Sequence, residues 1–195
     1  MSVKEKPSTD PRVIRTRQLI RDAFVDLLQE MELEKISVNR IAERATINRV
    51  TFYLHYRDIP DMLEKLADEM TGNIQQILLP APENQSSAEE YWPILVMLLE
   101  HIAANAKWYK VVLASRRTTI FTDRLLKLLT EMLTEKFERR TDHFLSKSGI
   151  QKDIAIWYSS SALIGTIVGW LRQDLPYTPR YLAEQYALMR TLPLE

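Results

Sequence analysis

An all-α chain is predicted, on three observations. Only four glycines occur in 195 residues, no run alternates β-branched side chains at strand spacing, and apolar residues recur at the three-to-four spacing of one helix face. The expected architecture is a three-helix helix-turn-helix head at the N-terminus. A long helix joins it to a larger helical domain, with residues 1–58 and 59–195 as the two parts.

Asp10 followed by Pro11 opens the first helix, the aspartate as N-cap and the proline at a position whose N–H has no helical partner. It should run to about Met31, with Ile14, Leu19, Ala23, Phe24, Leu27 and Leu28 as its apolar stripe. Ser37 can cap a short second helix ending near Ala45, and Asn48 can cap a third reaching His55 or Tyr56. A long fourth helix follows from about Ile59, with Pro60 tolerated in its first turn. The stretch 80–87, rich in Pro and Ser, is the clearest break. Apolar-periodic runs then cover about 88–104, 105–115, 119–147, 151–173 and 179–191, with Asn105, Gly149 and Thr178-Pro179 as boundary signals.

Composition narrows the chemistry. Hydrophobic residues at 46% and charged residues at 27% describe an ordinary globular protein rather than a disordered one. The absence of cysteine removes disulfides, thiolate catalysis and cysteine-ligated zinc. His55, His101 and His143 never fall at a metal-ligand spacing, no glycine-rich phosphate loop occurs, and no nucleophile stands near a base. No catalytic residue, metal or cofactor is therefore expected. Net charge is zero, yet residues 1–58 carry 11 Lys and Arg against 9 Asp and Glu, with Arg12, Arg15, Arg17 and Arg21 clustered. The N-terminus lacks the apolar stretch of a secretory signal, so a cytoplasmic location is the default expectation. Residues 154–171 are uncharged over a length at the lower limit for a membrane span, but their serines and glycines favour burial between neighbouring helices, so no membrane association is expected.

The informative segment is 37–56. Two helices of about two turns with a tight turn between them suit a helix-turn-helix, whose second helix presents its N-terminal side chains to base edges. Val38, Ile41, Ala42, Ala45, Ile47, Phe52 and Tyr56 can form the small core fixing their angle. Asn48, Arg49, Val50, Thr51, Tyr53, Leu54 and His55 then mix donors, aromatics and a cation, a set able to meet phosphates and bases together. The competing reading is a pair of amphipathic bundle helices with polar faces in water.

This segment resembles the TetR family of one-component regulators, whose pattern there is Ile-Ala, Ala-Gly-Val, Ser, then Gly-Thr-Phe-Tyr-x-His-Phe. The chain has Ile41-Ala42, Ala45-Thr46-Ile47, Asn48 and Val50-Thr51-Phe52-Tyr53-Leu54-His55-Tyr56, followed by Met62-Leu63. The resemblance implies phosphate contacts from Thr51, Tyr53 and His55 and base contacts from Arg49 and Val50, with Ser37 and Asn39 as further DNA-contact candidates. Three positions depart from the pattern. Thr46 stands for the turn glycine, where a positive φ is unfavourable to threonine; Val50 stands for a second glycine; and Ile59 replaces a common lysine, with Arg57 as the expected stand-in.

The family further implies a C-terminal domain that dimerises and, in most members, binds a small molecule. Asn105-x-x-Trp108-Tyr109-x-Val111-Val112-Leu113, Gly165-x-x-x-Gly169-Trp170-Leu171 and Thr178-Pro179 look similar to the regulators of dihydroxyacetone kinase operons. Ser161, Gly165 and Gly169 recur every four residues on one helix face, where small side chains admit another helix: a dimer seam with the last helix, or close packing inside one subunit. Met97, His101, Trp108, Tyr109, Phe121, Trp157 and Tyr158 are candidates to line an effector pocket, or are plain core. The expected function is that of a homodimeric regulator, a repressor by family, binding double-stranded DNA at an inverted repeat under a small-molecule effector. Two alternatives stay open: an activator or coactivator-dependent regulator without such a pocket, and a helical adaptor that does not bind DNA.

Overall fold

The computed structural model describes residues 10–78, 88–115, 118–139 and 149–189, and among these no strand occurs. The expected break at 80–87, the end of the run to 147, and His143 lie outside the described residues. The chain divides into two compact units, Met1–Leu66 and Ala67–Glu195. The sequence division after Asp58 gave all of the fourth helix to the second unit. Its first turns instead belong with the head, where Met62, Leu63 and Leu66 are buried.

In the first unit α1 spans Pro11–Glu30 and starts as its cap dictates, the Asp10 carboxylate accepting from the Arg12 N–H at 2.9 Å. Its buried side is Ile20, Ala23, Phe24, Val25, Leu27 and Leu28. Ile14 and Leu19, expected in the stripe, are exposed, because the N-terminal half of the helix does not face the core. After a 3₁₀ turn at Leu33–Lys35 come α2 (Val38–Arg44) and α3 (Arg49–Tyr53), capped by Ser37 and Asn48. α3 is shorter than expected: Leu54 keeps helical dihedrals as its C-cap, and the chain then turns toward α4 (Ile59–Leu78).

The second unit takes the rest of α4 and adds α5 (Ala88–Ala104), α6 (Ala106–Tyr109) with a π turn over Lys110–Ala114, α7 (Ile120–Arg139), α8 (Lys152–Arg172) and α9 (Pro179–Met189). α9 packs on α5, while α8 packs on α7 and the π turn. The boundary signals work chemically. The Asn105 side-chain amide donates to the His101 carbonyl at the end of α5, Gly149 holds φ +69°, and the Thr178 hydroxyl accepts from the Tyr181 N–H ahead of Pro179. At the far end of α8 the Trp170 indole donates to the Tyr177 carbonyl at 2.9 Å, and Arg172 donates to the Ala114 carbonyl at 3.1 Å.

α8 meets its expected burial on one side only. Ile156, Ser160, Ile164, Ile167, Trp170 and Leu171 face inward, whereas Ile154, Trp157, Tyr158, Ser161 and Gly165 are exposed. By length and composition this helix could cross a membrane, and 33% of its apolar window is buried in the chain.

Candidate nucleic-acid interface

The site is the turn between α2 and α3 and the surface that α3 presents. α2 ends in a pair of bonds that reverse the chain: the Thr46 N–H donates to the Glu43 carbonyl and the Ile47 N–H to the Ala42 carbonyl, at 3.1 and 2.9 Å. This Schellman arrangement needs a left-handed residue after the cap, normally glycine. Thr46 supplies it at φ +56°, the unfavourable geometry expected there for a β-branched side chain. Two residues later the Asn48 side chain accepts from the Val50 N–H at 2.8 Å and starts α3. Ile41, Ala42, Ala45, Phe52 and Tyr56 are buried as expected, and the Phe52 and Tyr56 rings lie 5.5 Å apart. Val38 and Ile47 are only half-buried.

The angle of α2 is held from outside this core as well. Arg44 grips Glu30 at the end of α1 with two parallel bonds of 2.8 Å, which lowers the Glu30 carboxyl below its ordinary range. Arg44 is therefore committed to structure rather than offered to a phosphate.

With Phe52 turned inward, the other side chains of α3 face solvent. Arg49, Val50, Tyr53 and Leu54 are exposed, and Thr51 and His55 are half-buried. No carboxylate among the described residues pairs with Arg49. The Ser37 hydroxyl oxygen and the Asn48 carboxamide oxygen accept capping bonds, which leaves the Ser37 O–H and the Asn48 NH₂ group as donors. Asn39 is exposed on α2. The His55 pKa is lowered, first by burial and then by the positive charges of Arg17 and Lys65. At neutral pH its imidazole is uncharged, a hydrogen-bonding group rather than a cation.

One contributor was missed in the sequence. Lys65, on the second turn of α4, donates to the His55 carbonyl at 3.2 Å and to Asp61 at 2.9 Å, with its ammonium 5.6 Å from the Tyr56 ring centroid. Asp61 also accepts from the Arg57 N–H at 2.9 Å, and that bond followed by the one from Lys65 lowers its pKa. The Asp61/Lys65 spacing of four was a readable signal; the reach back to the end of α3 was not. Arg57, the expected stand-in for the missing lysine, is exposed with its guanidinium 3.6 Å from Asp58.

The effector candidates do not come together as one set. His101 Nε2 lies 2.9 Å from the Tyr109 hydroxyl, and burial lowers the His101 pKa. Trp108 meets Phe121 edge-on, with centroids 5.4 Å apart. Met97 is exposed, and Trp157 and Tyr158 are 60% and 66% exposed on α8, so among the described residues these three stand apart from the inner pair contacts. Their helix faces carry them outward.

A head of two capped helices around a strained turn, followed by a helical unit, defines a helix-turn-helix regulator of the all-α type. The family description "transcriptional regulator C-terminal region", one of the TetR C-terminal families, matches residues 89–191. The chain belongs to the TetR family of transcriptional regulators. An uncharacterized HTH-type transcriptional regulator of Bacillus subtilis (strain 168), YxbF, is 24% identical over 188 residues, which are 94% of this chain and 46% of that protein. The chain thus spans about half the length of this curated relative. A TetR transcriptional regulator from Streptococcus agalactiae 2603V is 25% identical with a TM-score of 0.64, covering 92% of this chain and 96% of the other. The fatty acid degradation regulator FadR from Bacillus halodurans shares the fold at 19% identity and a TM-score of 0.72, over 96% and 98% of the two chains. The subgroup expected for the C-terminal half fares less well. The dihydroxyacetone kinase operon activator DhaS superposes with a TM-score of 0.55 at 20% identity, over 91% and 96% of the chains, which is a likeness of fold alone.

Proposed function

We propose that this protein is a homodimeric regulator that reads a specific inverted repeat in double-stranded DNA and represses by occupying it. The observation that carries this reading is α3 itself. Its inward side is anchored by Phe52, and its outward side groups an arginine, which no carboxylate among the described residues pairs, with hydroxyl, amide and imidazole donors. In this arrangement Arg49 reaches the two acceptors of a guanine, while Thr51, Tyr53, His55 and the Asn48 amide hold phosphates; Ser37 and Asn39 place α2 across the backbone.

The second copy is suggested by α8. Among the described residues nothing lies within 4 Å of where a Cβ would stand on Gly165 or Gly169, which favours a partner over close packing inside the subunit as the reason for these small residues. With Ser161 they form a stripe of small residues on the face that also exposes Trp157 and Tyr158, and a twofold partner would cover it. For effector control we retain the inner cluster of His101, Tyr109, Trp108 and Phe121. A ligand acting there must favour one dimer conformation over the other, typically by about 1–3 kcal/mol.

Selection of bound duplexes from a random library with the full chain tests the reading. The expected product is an inverted repeat whose half-site centres lie about one helical turn, or a multiple of it, apart. A library that stays random after repeated rounds would refute it.

A further inference from the structure

α3 turns about 100° per residue, so the direction opposite the buried Phe52 falls between Val50 and Leu54. The Leu54 N–H donates to the Val50 carbonyl at 3.2 Å, which stacks these two aliphatic side chains one turn apart. They are 61% and 77% exposed, whereas Phe52 is 0% exposed. The most protruding point of the helix is thus apolar, and the polar groups stand on its flanks.

What would cover such a point is limited by its size and its rim. Two side chains are far too small for a stable protein interface, which takes roughly 800 Å² per partner. The rim suits a polyanion: no carboxylate lies between Glu43 and Asp58, Arg44 is taken up by Glu30 and Arg57 lies near Asp58, and Arg49 stands beside the donors of Thr51, Tyr53 and the Asn48 amide. Along the major groove of a duplex, the apolar feature among the base edges is the C5-methyl group of thymine.

We infer that Val50 and Leu54 are specificity-determining residues that pack on thymine methyl groups, so that each operator half-site contains thymines opposite the tip of α3. This rests on the DNA-reading function proposed above. Arg49 would select a hydrogen-bonding edge beside them, and the aliphatic pair would select the methyl.

The test removes methyls singly. In a duplex selected by the full-length protein, each thymine of the half-site is replaced by deoxyuridine, which keeps every hydrogen-bonding group. Affinity should fall about four-fold per contacted methyl, and about fifteen-fold when both half-sites are changed, as expected for uncovering one methylene-sized group. Val50→Ala or Leu54→Ala, each checked for an unchanged melting curve, should bind the thymine and deoxyuridine duplexes more nearly alike. If deoxyuridine is tolerated at every position while the selected duplex still outcompetes random DNA, methyl reading is wrong and DNA reading stands. A gain from 5-methylcytosine alone would move the contact to a different base and overturn the thymine assignment. Absence of any preferred duplex would end both ideas.

Discussion

α3 and α8 both leave apolar side chains in water, and the contrast between them separates two kinds of partner. On α3 the apolar surface is one valine and one leucine, ringed within a turn by Arg49, Tyr53 and Thr51. On α8 it extends from Ile154 through Trp157 and Tyr158 past Gly165, on a segment without a formal charge between Asp153 and Arg172. A small apolar point in a rim of one arginine and hydroxyl donors, without a carboxylate, fits a groove whose walls are phosphate and whose floor carries isolated methyls. A long uncharged face with aromatic anchors and small residues fits another protein surface, where burying aromatic area dominates the energetics.

The largest expected effect breaks the α8 side of the contrast. Gly165→Leu places a bulky side chain where two copies would meet, at about 1–3 kcal/mol of overpacking, felt twice in a symmetric dimer. Among the described residues nothing lies within 4 Å of the Cβ position of Gly165, so the helix itself should tolerate the leucine and helical circular dichroism should not change. Sedimentation should show a shift to monomer, and an unaltered dissociation constant would remove the seam from α8.

A smaller effect sharpens the α3 side. Thr46→Gly relieves a β-branched residue from φ +56° but adds backbone freedom to the unfolded chain, leaving a net gain of about 1 kcal/mol. Thermal melting should move up by roughly 4 °C while the dimer constant stays fixed. A lower midpoint would mean that the turn depends on the threonine side chain.

The smallest effect belongs to the second unit and is read through pH. Burial lowers the His101 pKa below its ordinary 6.5, so the unfolded chain binds this proton more readily than the folded one. The associated stability is fully present above 6.5 and is lost as pH falls through the lowered value. His101→Gln, with an amide in place of the imidazole facing Tyr109, should flatten the loss of melting temperature between about pH 7 and pH 5. Equal slopes in the two proteins would assign the pH dependence elsewhere, with His55, lowered in the same sense, the next group to replace.

The parts of the molecule legible in the sequence were those set by neighbours along the chain. Asp10, Ser37 and Asn48 each cap the helix they precede, because capping requires one side chain and a backbone N–H two or three residues away. The strain at Thr46 was readable for the same reason. What a residue faces across the fold was not. Ile14 and Leu19 keep helical spacing yet are exposed, and Trp157 and Tyr158 look like pocket aromatics until α8 turns them outward. The grip of Arg44 on Glu30 and the reach of Lys65 to His55 join separate elements, so no local pattern announced them. The membership of the early α4 turns in the head depended likewise on packing.

The central claim is that α3 reads base sequence, and Arg49 tests it most directly. Arg49→Ala, Thr51→Ala and Tyr53→Phe would each be competed between the selected duplex and random DNA at one fixed salt concentration, since phosphate contacts make affinity depend on salt. Loss of a guanine contact should cost Arg49→Ala about 1–3 kcal/mol per half-site and lower the ratio of specific to random binding. Thr51→Ala and Tyr53→Phe should weaken both complexes nearly alike and leave that ratio in place. An intact ratio in Arg49→Ala would show an arginine that touches only phosphate or solvent, contradicting its role in base reading.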